Sequence, residues 1–213
     1  MTTRAREAYE AGAGVAVDLV TGEQVAAAWG EPSVLAAMSV GQLAAHLARS
    51  VLQVEWYLDG PVAQDALPIT AEIYYADLTG TSEPMSALNT GVRQRSAQTA
   101  AQGATALADE VVSAWERLRE RLVHEPSDRV MTVRHQGHTL LLDEYLRTRC
   151  VELAVHTEDL ALSLGSDVRT PATTLSVAVD VLVGAARRRH GDVEVLHALA
   201  RRERDGLHAL RVL

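Results

Sequence analysis

The sequence predicts an all-α protein, a bundle of long helices forming one domain over residues 1–213. Three observations carry this expectation. Apolar residues recur at helical spacing in several long stretches, most clearly Leu43, Leu47, Val51, Val54 and Leu58. Phe is absent and aromatics make up only 4% of the chain, so Leu, Val and Ala must fill the core, and Leu and Ala favour helix. Only one short stretch switches to strand-like patterning. A chain of 213 residues is long enough for a single substantial core.

Taken in order, residues 3–29 read as a first helix, weakened by Gly12, Gly14 and Gly22 and stopped near Gly30-Glu31-Pro32. Ser39-Val40-Gly41-Gln42 is a capping-box pattern, and the helix it opens runs to about Leu58, where Asp59-Gly60-Pro61 ends it. Residues 59–83 read as a long loop, a length that hints at a place beside a pocket. A third helix is expected from Pro84 to about Leu122, burying Leu88, Val92, Leu107, Val111, Trp115 and Leu118.

Residues 130–134 and 139–142 then flank His135-Gln136-Gly137-His138 as a short β-hairpin. The fourth helix follows with Asp143 as N-cap, a face of Leu146, Cys150, Leu153, Leu160 and Leu164, and Gly165 as its stop. The bundle core thus spans 3–165. Residues 166–213 form a C-terminal helical extension: one helix from Pro171 to His190, a shorter one from Val193 to about Arg204, and a tail read as a strand or docked segment.

The bulk numbers exclude several function classes. The net charge of −8 disfavours a nucleic-acid binder, and the Arg runs at 187–189 and 201–204 fit solvated helix faces. No apolar run is long enough to span a membrane and the N-terminus has no signal core, so the cytoplasm is the expected location. The single cysteine, Cys150, allows no internal disulfide. All 20 basic residues are Arg, which suggests a high-GC genome such as that of an actinobacterium. Oligomeric state is not readable.

One constellation carries chemistry. Glu152 and His156 are four residues apart on the fourth helix and lie one above the other, with Arg149 and Asp159 in the same row. Such a row beside an apolar stripe is costly unless its members are paired or ligate a metal. On the second helix His46 sits among small and apolar residues, with Ser50, Gln53 and Tyr57 continuing its row. If the two helices face each other, two imidazoles and one carboxylate meet. That donor set suits Zn²⁺ with a position left open for water or substrate. Each piece alone is weak: a lone His on an apolar face is usually a hydrogen-bonded core residue, and a Glu-His pair four apart is usually solvated. His135 and His138 bracket a turn, while His124, His190, His197 and His208 have no ligand-like company. Cys150 points away from Glu152 and reads as core.

The run Met38-Ser39-Val40-Gly41-Gln42-Leu43-Ala44-Ala45-His46-Leu47 resembles the second-helix motif of the mycothiol-dependent maleylpyruvate isomerase family, within the DinB-like superfamily of metal-binding bundles. Residues 149–160, with Arg149, Glu152, Val155-His156 and Asp159-Leu160, resemble its fourth-helix motif, and the ending at 201–205 is also similar. The resemblance implies a DinB-like up-down-down-up four-helix bundle. It implies zinc held by His46, Glu152 and His156, and mycothiol as co-substrate, its thiolate adding to a small electrophile. The isomerase proper has a separate α/β C-terminal domain lining its pocket, whereas residues 166–213 here read as helices and a tail.

The expected function is therefore a metal-dependent, mycothiol-dependent S-transferase or isomerase. Arg149 and Asp159 would orient the ligands. Gln53, Tyr57 and Asn89 are candidates for lining the pocket. Two rivals use the same residues: a metal-activated hydrolase, with Glu158 and Asp159 near the site, and a non-catalytic metal-binding or interaction protein.

Overall fold

The computed structural model describes residues 3–63, 66–78, 86–134, 136–203 and 206–213, with the backbone alone for Leu207. The long helices are α1 (Arg4–Val20), α3 (Val40–Leu58), α5 (Ala87–Ala100), α6 (Ala104–Leu122), α7 (Leu142–Leu164) and α8 (Ala172–His190). Shorter helices are α2 (Glu23–Ala27), α4 (Ala71–Ala76), α9 (Asp192–Ala200) and α10 (Gly206–Leu210). Strands β1 (Val130–Val133) and β2 (His138–Leu141) pair antiparallel, with Val130 opposite Leu141 and Val133 opposite His138.

Side-chain pairings fix the helix directions. Arg6 meets Asp143, and Gly12 lies against Leu153, so α1 and α7 run parallel. Glu55 and Asp59 meet Arg117 and Arg121, so α3 and α6 run parallel. Gln53 meets Arg149 and Tyr57 meets Tyr145, while His46 meets His156, so α3 opposes α7. This is the all-α, DinB-like up-down-down-up bundle. Its core contains the expected stripes: Leu43, Leu47 and Val51 of α3, Leu107, Val111 and Leu118 of α6, and Leu146, Cys150, Leu153 and Leu160 of α7 are all buried together. Among the described residues no helix is long and apolar enough to cross a membrane.

Local sequence explains most boundaries. Ser39 accepts from the Gln42 amide while Gln42 accepts from the Ser39 amide, a complete capping box worth about 1 kcal/mol. Gly165 ends α7 with φ 62°, the left-handed conformation a helix stop requires.

Several boundaries differ from expectation. The first helix breaks after Val20, where the Thr21 hydroxyl turns back to the Val17 carbonyl (2.9 Å) and Gly22 caps α2. Gly12, which weakened the helix reading, is where α8 comes close. A Cβ there would lie 2.7 Å from Thr174 Cγ2, and the Thr174 hydroxyl donates to the Ala8 carbonyl at 2.6 Å. The third helix is two helices, because Gly103 adopts φ 87° between α5 and α6. Its expected start at Pro84 lies outside the described residues, and Ser86 caps α5.

Asp143 is not the N-cap of α7. Strand β2 runs straight into the helix, whose first amides donate to the Arg129 and Ser127 carbonyls, and Asp143 pairs with Arg6 instead. The 59–83 loop contains α4, capped by Thr70. The tail is helical over α10, then docks. Val212 is buried and its carbonyl accepts from Arg189, which also holds the carbonyls of Tyr75, Ala76 and Leu78. His135, Arg204 and Asp205, used in the turn and ending readings above, lie outside the described residues.

Candidate metal centre

Two helices bring three donors to one point. His46 stands on α3, one turn past the buried Leu43, and Glu152 and His156 stand one turn apart on α7. His46 Nε2 lies 3.0 Å from His156 Nε2, and each lies 3.6 Å from Glu152 Oε2. Tetrahedral zinc with ligands at about 2.0–2.1 Å requires donor-to-donor separations near 3.3–3.4 Å, which these three distances bracket. The point equidistant from all three atoms lies about 2.0 Å from each. The three residues are therefore a set that could hold a metal ion. Their side chains remain 16%, 20% and 16% exposed, enough to leave one side of the triangle open to a further ligand.

The surroundings set each donor's direction and charge. Asp159 Oδ2 accepts from His156 Nδ1 at 3.1 Å, which fixes the ring and leaves Nε2 for the triangle. Tyr75 Oη lies 2.8 Å from Glu152 Oε1 and 3.0 Å from the Thr148 carbonyl. With one proton to give, it favours the charged acceptor, so Oε2 is the oxygen left facing the histidines. Burial, then the neighbouring His156, push the His46 pKa down to about 3, so this ring is neutral. Burial would lower His156 too, but the Asp159 and Glu152 carboxylates outweigh it and push its pKa up to about 9. Burial raises the Glu152 carboxyl, yet His156 and Arg149 hold it well below the usual range.

The triangle opens on a cavity of about 400 Å³ between α3, α5, α7 and the hairpin, a size that suits a small organic ligand. Its wall mixes Leu35, Leu88 and Val92 with Gln53, Asn89 and Gln136. The apolar residues expected to bury α5 in the core, Leu88 and Val92, thus line the cavity instead.

Gln53 and Asn89 stand on the cavity wall, as does Arg149. Tyr57 sits one layer back, edge-on to Tyr145 with ring centres 5.7 Å apart. Arg149 does not hydrogen-bond a triangle residue. It donates to Gln53 Oε1 and Thr148 Oγ1, stacks on Tyr145, and reaches Glu152 only through its charge. Asp159 does contact His156 directly. Glu158 faces the α7–α8 connection and accepts from the Thr170 amide at 2.8 Å. Cys150 is wholly buried, and burial pushes its thiol up to about 12. Tyr75 was missed by sequence reasoning, and only the Thr70 cap could have signalled the short helix that carries it.

Neither the curated proteins nor the solved structures contain a significant match to the chain. The family model described as the mycothiol maleylpyruvate isomerase N-terminal domain matches residues 11–161, a span that includes α3, most of α7 and all three triangle residues. The chain belongs to the mycothiol maleylpyruvate isomerase N-terminal domain family.

Proposed function

We propose that the protein is a zinc-dependent thiol enzyme, a mycothiol-dependent S-transferase or isomerase acting on a small electrophile. The supporting observation is a three-donor triangle with an open side, set in the wall of a cavity of ligand size. His46 and His156 would hold the ion through Nε2 and Glu152 through Oε2. Bound there, a divalent cation supplies Lewis acidity that lets a coordinated thiol ionise near neutral pH.

The chain's own residues supply position. Asp159 keeps His156 Nε2 pointed at the triangle, and Tyr75 keeps Glu152 from rotating its second oxygen away. Arg149 balances the carboxylate's charge and ties α7 to α3 through Gln53. Leu88 and Val92 give the cavity an apolar wall against which an electrophile's carbon skeleton would lie.

Cys150 is buried and burial pushes its thiol pKa up, so a reacting thiol would come from outside the chain. One feature favours that reading over the hydrolase. Glu158 and Asp159, the candidates for an extra general base, are engaged by Thr170 and His156. The test is consumption of a generic electrophile, monochlorobimane, with and without mycothiol. Turnover that requires the thiol and is lost in His46→Ala is expected. Equal turnover without any thiol would overturn the proposal.

A further inference from the structure

Beside the metal centre stands a helix that does not hold itself in place. Helix α4 has six residues, far below the length at which a helix is stable alone. Yet it carries Tyr75, whose hydroxyl meets Glu152 Oε1 at 2.8 Å, while Tyr74 and Leu78 stand on the cavity wall. Whatever fixes α4 therefore fixes a partner of the triangle.

The two ends of α4 are held from different helices. At its start the Ala71 amide donates to Glu144 Oε2 of α7 at 2.8 Å, and Glu72 pairs with Arg147. At its end the hold comes from Arg189 of α8. That guanidinium donates to the carbonyls of Tyr75 at 2.8 Å, Ala76 at 3.1 Å and Leu78 at 2.6 Å, and to the Val212 carbonyl of the tail at 2.9 Å. Arg117, Arg121 and Arg147 grip carboxylates, whereas Arg189 directs Nε, Nη1 and Nη2 to main-chain oxygens. The last carbonyls of a helix lack intrahelical donors, and a cationic side chain satisfies them at the negative end of the helix dipole.

A second feature of α8 bears on the same helix. Gly184 lies inside α8, where Ala would be the better helix former. A Cβ there would come 2.5 Å from Glu72 Cγ, so the missing side chain lets α4 lie directly against α8. Both Gly184 and Arg189 fall outside residues 11–161, the span that matches the family model.

We propose that Arg189 is a positioning residue for the metal centre: by holding the end of α4 it keeps the Tyr75 hydroxyl on Glu152, so the C-terminal extension acts on the triangle without touching it. The path runs from the α8 guanidinium through the α4 main chain to Tyr75 Oη and Glu152 Oε1, which leaves Oε2 toward the histidines. The inference rests on the thiol-enzyme reading only for its zinc readout; the link from α8 to Glu152 exists without a metal.

The test is zinc competition against a chromophoric chelator on the full chain, arranged as a double-variant cycle. Arg189→Gln should weaken zinc about tenfold, the lower end of what an orienting partner contributes, and in a Tyr75→Phe background it should cost less than about twofold more. A residue that only stabilised the fold would lower affinity equally in both backgrounds. Gly184→Ala should also weaken zinc only where Tyr75 is present, although it favours the α8 helix, and it serves where Arg189→Gln does not fold. Val212→Asp, which frees the buried tail but leaves the three α4 carbonyls, should keep full affinity, as should Arg187→Gln on the exposed face of α8. In denaturant unfolding of chelator-treated protein, Tyr75→Phe should lower the midpoint less in the Arg189→Gln background than in the wild type.

Unchanged zinc affinity in both Arg189→Gln and Gly184→Ala, or losses equal in the two Tyr75 backgrounds, would overturn the positioning role. So would a loss in Val212→Asp as large as that in Arg189→Gln, because the effect would then run through the tail. A wild-type protein that takes up no zinc but shows the coupling on unfolding would uphold the link from Arg189 to Tyr75 and sink the thiol-enzyme reading. Equal midpoint shifts in both backgrounds would overturn the link itself.

Discussion

Replacing Tyr75 with Phe removes one oxygen and little else, because the ring is wholly buried and its packing against Tyr74, with ring centres 5.1 Å apart, is kept. The lost oxygen lies 2.8 Å from a buried carboxylate and 3.0 Å from the Thr148 carbonyl. A hydrogen bond to a charged group contributes about 1.5–3 kcal/mol, and leaving the acceptor short of a partner moves the cost to the upper part of that range. For a domain of this size each kcal/mol corresponds to roughly 2–4 °C in melting temperature, so chelator-treated Tyr75→Phe should melt about 4–12 °C lower. Metal affinity should fall as well. With Oε1 released, Glu152 can rotate Oε2 away from the histidines, and loss of such an orienting partner weakens metal binding by about 10–100-fold. The assay is zinc competition against a chromophoric chelator at fixed pH, run beside thermal unfolding followed by circular dichroism. A lower melting temperature with zinc affinity unchanged within about twofold would refute the orienting role and leave Tyr75 as a packing residue.

Zinc affinity should rise with pH. His156, with its pKa pushed up to about 9 by Asp159 and Glu152, carries a proton at neutral pH that an incoming ion must displace. Chelator competition should therefore show apparent affinity rising about tenfold per pH unit from 6 to 8.5 and flattening above 9; no change over that interval would count against the proton assignment. The same raised pKa stabilises the chelator-treated fold fully below about 6.5, its unfolded value, and that contribution is lost as pH climbs through 9, which pH-dependent melting checks. Gly103→Ala forces a side chain into φ 87° at a position with no neighbour within 4 Å, so the cost is purely conformational. Denaturant unfolding should show a loss of about 1–3 kcal/mol, and no loss would mean that the α5–α6 break readjusts.

What was legible in the sequence was local. The Ser39–Gln42 capping box, the Gly165 stop and the spacing of Leu43, Leu47 and Val51 depend on residues within two turns of one another, and α3 and the end of α7 stand where those signals put them. The pairing of His46 with Glu152 and His156 needed more. Each helix displayed its polar residues, and the family resemblance linked them. The misses have different causes. Asp143 looks like a cap, but the Arg129 and Ser127 carbonyls take that role across the hairpin. Gly103 was visible, yet nothing nearby distinguishes a tolerated helix glycine from one at a break. Helix α4 is too short to show a periodic stripe, so the hydroxyl of Tyr75 beside Glu152 could not be foreseen. Arg49, three residues past His46, reads as a solvated position until α5 folds over it.

The most direct measurement is metal content by elemental analysis, paired with X-ray absorption at the metal edge, on the protein expressed in zinc-replete medium. One zinc per chain is expected, with two nitrogen donors and at least one oxygen donor at about 2.0–2.2 Å, and less than a tenth of an equivalent in His46→Ala. A full equivalent retained in both His46→Ala and His156→Ala would contradict a centre built from His46, Glu152 and His156.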